Sequence, residues 1–278
     1  MRPVWSGASA PLLPLEDDLT AAAAARYDAV EVSLPKLWPY LEQRGPDGLG
    51  NLLKRQRLAA VALGPVTDAT FRDAVGRDRL VSEVHGAAAI ARQLGADWVV
   101  VEPGERPDGA DERDAIREAR DVFDRLCRAT ERYDVALALM PVGFEWASLR
   151  TVGQAVRVIE AVGRKSIALA LDTFHFHVGG SSLDDVRRCR ARAIALIRIG
   201  DAPARDRDGL REHHRLLPGD GVAPIRALVG VVRALGGDPP AIVHVPIPAG
   251  EGDATGWARR LREVTLDIIR DPEPAPSR

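Results

Sequence analysis

The residues that could do chemistry in this sequence stand at the ends of short apolar runs. Asp172 ends the run Ile167–Asp172, which is otherwise wholly apolar, and an unpaired charge buried there would be costly. Comparable positions in other runs are held by Glu31, Glu102, Met140, Arg198 and His244. Clustered carboxylates and imidazoles can take up and return protons near neutral pH, and an arginine can stabilise an oxyanion. We therefore expect Asp172 to lie in a functional site.

Polar residues also follow two of these runs directly. His175 and His177 come after Asp172, and because one strand period separates them, we expect only one to face the site. The loop after Ile194–Ile199 adds His213, His214 and Arg215, followed by Pro218-Gly219-Asp220-Gly221. The backbone amides of this last turn either bind a phosphate or carboxylate, or simply turn the chain into the next helix.

Several of these residues have a structural interpretation as well. Glu31 could pair with an arginine of a neighbouring strand, and Arg198 could pair with Asp172 or bind substrate. Aromatic side chains in predicted loops could form an apolar wall above the site or pack against their own scaffold: Trp38, Phe144 and Trp146.

Apolar runs alternate with amphipathic helical stretches along the chain. Arg79–Leu94, for example, carries apolar residues at helical spacing and ends at Gly95, a typical C-terminal cap. The predicted strands are Val4–Trp5, Ala29–Val32, Leu58–Leu63, Trp98–Val101, Val135–Leu139, the run ending at Asp172, Ile194–Ile199 and Ala241–Val245. This alternation predicts an α/β fold, a single (β/α)8 TIM barrel over residues 1–270 with a disordered tail at 271–278. A doubly wound sheet is the alternative, but no GxGxxG follows the first strand.

Composition and charge narrow the class of protein. Of 278 residues, 46% are hydrophobic and 28% charged, which is enough to build a sizeable core. The net charge of −2 is too small to predict a nucleic-acid or membrane surface, so a small-molecule substrate is the expected partner. Cys127 and Cys189 lack metal-binding spacing, and the N-terminus lacks a signal-peptide pattern. We expect a cytoplasmic protein, with a homo-oligomer as one possible state.

Four segments of the sequence resemble the sugar phosphate isomerase/epimerase family, the xylose isomerase-like TIM barrels. They are GFEWASLRTVGQA after the fifth predicted strand, LDTFHFHVGGSSLDDV at the sixth, IGDAP after the seventh and RLLPGDGV before the seventh helix. The resemblance covers nearly the whole chain. It implies isomerisation, epimerisation or dehydration next to a carbonyl of a small polyhydroxylated or carboxylated substrate. It also implies that His175 and Arg215 contact substrate hydroxyls.

The resemblance further implies a divalent metal held by Glu, Asp, His and Glu at the ends of strands five to eight. On this chain those positions are Met140, Asp172, Arg198 and His244, and only the aspartate fits. A thioether is a weak ligand for a hard dication, and a guanidinium is cationic and cannot coordinate one. We therefore expect Arg198 to take over the electrostatic role of the metal.

Three functions are compatible with this departure from the family pattern. In the first, a metal-independent enzyme, His244 moves a proton with Glu102 or His175 while Arg198 stabilises the oxyanion. Its predicted catalytic residues are His244, Asp172, Arg198 and Glu102, and its substrate-binding residues are His175, Arg215, Glu31 and Trp146. In the second, Mn, Mg, Zn or Co binds a shifted ligand set, Glu102, Asp172, His175 and His244. The third is a ligand-binding or regulatory barrel without catalysis.

Overall fold

Parallel strands close into a barrel. The computed structural model describes residues 1–190, 193–248, 250 and 252–273, with the backbone alone of residue 46. Its strands are β1 Pro3–Ser6, β2 Ala29–Ser33, β3 Ala59–Val66, β4 Trp98–Val101, β5 Ala136–Leu139, β6 Ile167–Asp172, β7 Ile194–Ile199 and β8 Ala241–Val243. Each strand pairs with the next along the chain, and β8 pairs with β1. The predicted (β/α)8 barrel is confirmed.

Helices connect the strands and surround the barrel. They are α1 Leu15–Ala24, α2 Leu34–Gln56, α3 Ala74–Leu94, α4 Glu112–Thr130, α5 Val152–Val162, α6 Thr173–Val178, α7 Leu183–Arg187, α8 Ile225–Ala234 and α9 Ala254–Arg270. Caps fix several helix starts; the Asp111 carboxylate, for example, accepts from the N–H of Asp114 at the start of α4. None of the helices in the described ranges is long and apolar enough to cross a membrane. The predicted disordered tail falls largely on residues 274–278, outside the described residues, and the domain bounds stay a prediction.

Two apolar layers hold the fold together. The larger layer lies between the strands and the helices and includes Trp5, Leu63, Phe123 and Leu228. The smaller one fills the barrel with mostly small side chains, among them Val4, Ala29, Ala62, Val100, Ala138, Met140, Ala170, Leu196 and Ile242. Because this interior is packed, the barrel is closed below the polar strand ends, and a ligand can approach them only from the C-terminal end.

We expect Phe123→Ala to lower the free energy of unfolding by about 3–5 kcal/mol, because the ring is fully buried between α4 and the barrel and its removal leaves a cavity. Urea unfolding followed by circular dichroism measures the change. The matched control is Leu12→Ala at a side chain that is 95% exposed, which should change stability by less than about 0.5 kcal/mol. Equal losses in the two variants would contradict the packing described here.

Candidate active site

The polar residues predicted at the strand ends meet at the C-terminal end of the barrel. Glu31 lies in β2, Asp172 ends β6, and Arg198 lies beside Asp172 in β7. Glu102 and His244 follow β4 and β8 directly. Parallel strands bring residues that are far apart in sequence to the same edge of the sheet, and the closed ring turns this edge into a bowl.

Arg198 pairs with Glu31 across the barrel. Its Nη2 lies 2.6 Å and its Nε 3.2 Å from Glu31 Oε1, and Ser6 Oγ donates to Glu31 Oε2 over 2.9 Å. Both charged side chains are almost fully buried. The interpretation of Arg198 as a partner of Asp172 is therefore wrong: the two residues are register neighbours, yet the guanidinium turns toward Glu31.

Glu102 lies on the open side of the same guanidinium. Its Oε1 is 3.7 Å from Arg198 Nη1, close enough for electrostatic attraction but too long for a hydrogen bond. Glu102 lines a cleft of about 640 Å³ together with Thr67, Asp68, Pro103, Gly104, Glu105 and the half-exposed Trp146. Burial raises the pKa of Glu102 to about 7, although Arg198 and His175 oppose the shift. This carboxyl can therefore both take up and release a proton near neutral pH.

Asp172 has a different cationic partner, Arg215. Arg215 Nη1 lies 3.0 Å from Asp172 Oδ1, which also accepts from the backbone N–H of His175, while the guanidinium stacks 4.5 Å from the ring centre of Phe174. Burial by itself would raise the pKa of Asp172, but Arg215, His175 and His244 outweigh it and lower the pKa to about 2. Asp172 is thus a fixed anion, and its Oδ2 is enclosed without a hydrogen-bond partner among the described residues.

Glu212, which the sequence analysis missed, links Arg215 to His175. Its Oε2 accepts from Arg215 Nε over 2.6 Å, and its Oε1 lies 3.0 Å from His175 Nε2. His175 Nδ1 accepts from the backbone N–H of Gly143 over 3.3 Å, so both ring nitrogens have a partner within the chain. The signal in the sequence was the spacing of Glu212 and Arg215, three residues apart in EHHR.

His244 is buried beside two arginines. Burial, together with the nearby Arg215 and Arg198, lowers the pKa of His244 to about 3. Its Nδ1 is enclosed and has no hydrogen-bond partner among the described residues. The predicted role of His244 in moving a proton stays a prediction, and this environment disfavours it because a group with so low a pKa is a weak base at neutral pH.

Asp201 organises the loop that delivers Arg215 and Glu212. Its carboxylate accepts from the backbone N–H groups of Gly219, Gly221 and Ala223 at 2.8–3.0 Å. The backbone N–H groups of Gly219 and Gly221, which the sequence analysis considered as a site for a phosphate or carboxylate, therefore donate to Asp201 within the chain. An added Cβ at Gly221 would lie 2.2 Å from the carbonyl oxygen of Ala202, so the close approach requires glycine.

Other expectations need correction. His175 and His177 lie in α6 and not in extended chain; since two residues span about 200° of a helix, one imidazole enters the site and the other points away. Trp38 lies in α2 and packs toward Gly86 of α3, so it forms no wall above the bowl. His213 and His214 lie in a short 3-10 helix at the surface and stack on each other.

The residues at the family's metal positions do not fit a divalent cation. Met140 is part of the packed barrel interior, and Arg198 places a buried permanent cation at the third position. Among the residues that the structure describes, no group of three or more His, Cys, Asp and Glu side chains is arranged to hold an ion. The shifted ligand set of Glu102, Asp172, His175 and His244 stays a prediction.

Comparisons with known proteins agree with this architecture. Residues 19–265 match the model of the family described as xylose isomerase-like TIM barrel. The chain belongs to that family. An inosose isomerase of Halalkalibacterium halodurans is 27% identical over 223 residues, 80% of this chain and 79% of that protein. An inosose isomerase of Bacillus licheniformis is 26% identical over 257 residues, 92% of each chain.

A solved structure of the IOLI protein with a binding zinc atom superposes with a TM-score of 0.92, at 24% identity, covering 97% of this chain and 98% of that one. A metal therefore occurs in one structural neighbour within the xylose isomerase-like TIM barrel fold. The resemblance drawn from the sequence is confirmed, and this chain is an isomerase/epimerase-like enzyme of the family.

We expect the imidazole of His244 to stay neutral from about pH 8 down to about pH 5, because its pKa of about 3 lies well below the ordinary value. Nuclear magnetic resonance of 15N-labelled histidine side chains measures this titration. Free N-acetylhistidine measured under the same conditions serves as the control. A His244 signal that titrates between pH 6 and pH 7, as an unperturbed histidine does, would contradict the described burial.

Proposed function

We propose that this protein isomerises an uncharged polyhydroxylated ketone, of which an inosose is the best candidate, by moving a proton next to the carbonyl without a divalent metal. The observation that carries the proposal is the placement of Arg198. Glu31 holds this guanidinium at a family metal position, and Arg198 Nη1 faces Glu102 beside the open cleft. A fixed cation and a proton acceptor thus stand side by side.

The reaction needs a base and a stabilised oxyanion. The Glu102 carboxylate takes the proton from the carbon next to the carbonyl, and the C–H electron pair forms the carbon–carbon double bond of an enediolate. The carbonyl electron pair moves onto its oxygen, which accepts a hydrogen bond from Arg198 Nη1. This nitrogen donates to no described residue, and it lies 3.7 Å from the Glu102 carboxylate that lines the cleft. A preorganised donor of this kind stabilises the developing charge more than the ground state.

The charges of the site favour an uncharged substrate over a carboxylated or phosphorylated one. Arg198 is paired with Glu31 and attracted to Glu102, and Arg215 is paired with Asp172 and Glu212. Both guanidinium groups are therefore neutralised within the chain. The described lining of the Glu102 cleft adds further carboxylates and contains neither lysine nor arginine. The inosose isomerase names of the relatives are consistent with a neutral polyol ketone.

We expect kcat/KM to rise with pH up to about 7 and then to level off, because Glu102 acts as a base only in its charged form and its pKa is about 7. Below that value the rate should fall about tenfold per pH unit. Turnover of an inosose, followed by nuclear magnetic resonance between pH 5 and pH 9, gives the profile. A rate independent of pH across this range would contradict the assignment of Glu102.

We expect the double variant Glu31→Gln/Arg198→Gln to lose about 10²–10³-fold in the exchange of substrate hydrogen with deuterated solvent, because the oxyanion loses its donor. Changing both partners leaves no unpaired buried charge, so the barrel should still fold. The matched control removes an exposed ion pair, Arg92→Gln/Asp134→Asn, and should exchange at the wild-type rate.

The same assay tests metal independence. Protein treated with a chelator, with its metal content measured by mass spectrometry, should keep its full exchange rate, and added Zn2+ or Mn2+ should not increase it. A rate that disappears on chelation and returns with one of these ions would overturn the metal-independent mechanism. A folded wild-type protein that binds an inosose but never exchanges its hydrogen would support the ligand-binding alternative.

A further inference from the structure

The proton-accepting groups around the bowl differ in whether a substrate can reach them. Glu31 uses Oε1 for Arg198 and Oε2 for Ser6. His175 uses Nδ1 for the Gly143 N–H and Nε2 for Glu212. Each of these atoms already has a partner within the chain, and both side chains are buried, so neither is placed to take a carbon-bound proton from a substrate in the cleft.

Two further polar atoms of the site are enclosed. Asp172 Oδ2 and His244 Nδ1 have no hydrogen-bond partner within the part of the chain that the structure describes, yet both atoms are shielded from solvent. Asp172 is also held as an anion by Arg215, and His244 lies against two cations. A carbon acid could not reach either atom without rearrangement of the bowl.

Glu102 is placed differently. It lines the open cleft. Of the carboxylates described in the lining of that cleft, Glu102 is the one that lies within ion-pair distance of Arg198. Asp68 is 64% exposed and faces Arg72, and Glu105 lies at the exposed entrance. The carboxyl that removes the proton and the guanidinium that holds the carbonyl oxygen in the proposed reaction are therefore neighbours, with Glu102 Oε1 3.7 Å from Arg198 Nη1.

We propose that Glu102 carries the proton in both directions, from one carbon to its neighbour on the same face of the substrate, so that the enzyme shifts the carbonyl and does not epimerise. This inference rests on the proposed function and specifies its stereochemistry. Epimerisation needs a second proton carrier on the opposite face, and the other candidates described in the bowl, Glu31, His175, Asp172 and His244, are bonded within the chain or enclosed.

The shift of the carbonyl by one carbon conserves protons and electrons and needs no other reactant. Glu102 removes the hydrogen of the hydroxyl-bearing carbon, and the resulting enediolate has its charge on the former carbonyl oxygen. The hydroxyl proton passes to that oxygen from the neighbouring one. Glu102 then returns its proton to the former carbonyl carbon, the double-bond electrons form the new C–H bond, and the carbonyl is re-formed one carbon along. Substrate and product are isomers, and Glu102 ends as a carboxylate.

The test follows an inosose in deuterated water by nuclear magnetic resonance. We expect deuterium at the reacting carbon of recovered inosose, with its configuration retained, and at the former carbonyl carbon of the product in one configuration only, with no epimer of the starting inosose. An inosose deuterated at the reacting carbon and turned over in ordinary water should deliver part of its label to the adjacent carbon, because one carboxyl carries it.

Variants distinguish Glu102 from a second base. Glu102→Gln should lower exchange at both carbons about 10²–10⁴-fold, and Glu102→Asp should restore part of it. The matched control Glu160→Gln, on the exposed side of α5, should behave as wild type. Circular dichroism and urea unfolding check that each variant is folded.

Each outcome has a distinct meaning. Formation of an epimer with solvent deuterium at the inverted carbon would overturn the one-carrier inference and leave the proposed function intact. Wild-type exchange in a folded Glu102→Gln variant would also overturn it. Absence of exchange in the wild-type protein would overturn the proposed function, and this inference with it.

Discussion

The buried pair between Arg198 and Glu31 is the interaction on which the rest of the site depends. A guanidinium stays charged even when it is 1% exposed, so burying it unpaired would be strongly destabilising, and Glu31 supplies its partner from across the barrel. Ser6 satisfies the second carboxylate oxygen, so the pair is complete on its closed side. The remaining guanidinium nitrogen, Arg198 Nη1, lies on the side of Glu102. Its permanent positive charge lowers the cost of a negative charge that develops in the bowl.

A second ion cluster on the other side of the bowl has the opposite character. Asp172, Arg215, Glu212 and His175 satisfy one another, and the loop that carries two of them is fixed by Asp201. This cluster is saturated with hydrogen bonds except at the enclosed Asp172 Oδ2. The site is therefore asymmetric, with a rigid charged wall on one side and a titratable carboxyl on the other.

The substitutions at the family's metal positions form a consistent set. Met140 packs in the apolar barrel interior, and the guanidinium of Arg198 is fixed at the seventh strand. His244 has become a neutral imidazole between cations. In the proposed mechanism, Arg198 supplies at this end of the barrel the positive charge that a bound ion could otherwise supply.

Periodicity and strand-end chemistry were sufficient to predict the barrel and to place Asp172, Glu102 and Arg198 at one end of it, since parallel strands in chain order leave little freedom. The partners of those charges were decided by tertiary structure. Glu31 and Arg198 are 167 residues apart, and Glu212 reaches His175 through an irregular loop. Local sequence cannot encode such pairings, because they depend on how side chains fill a closed ring. The elevated pKa of Glu102 has the same origin, since burial is a property of the assembled barrel.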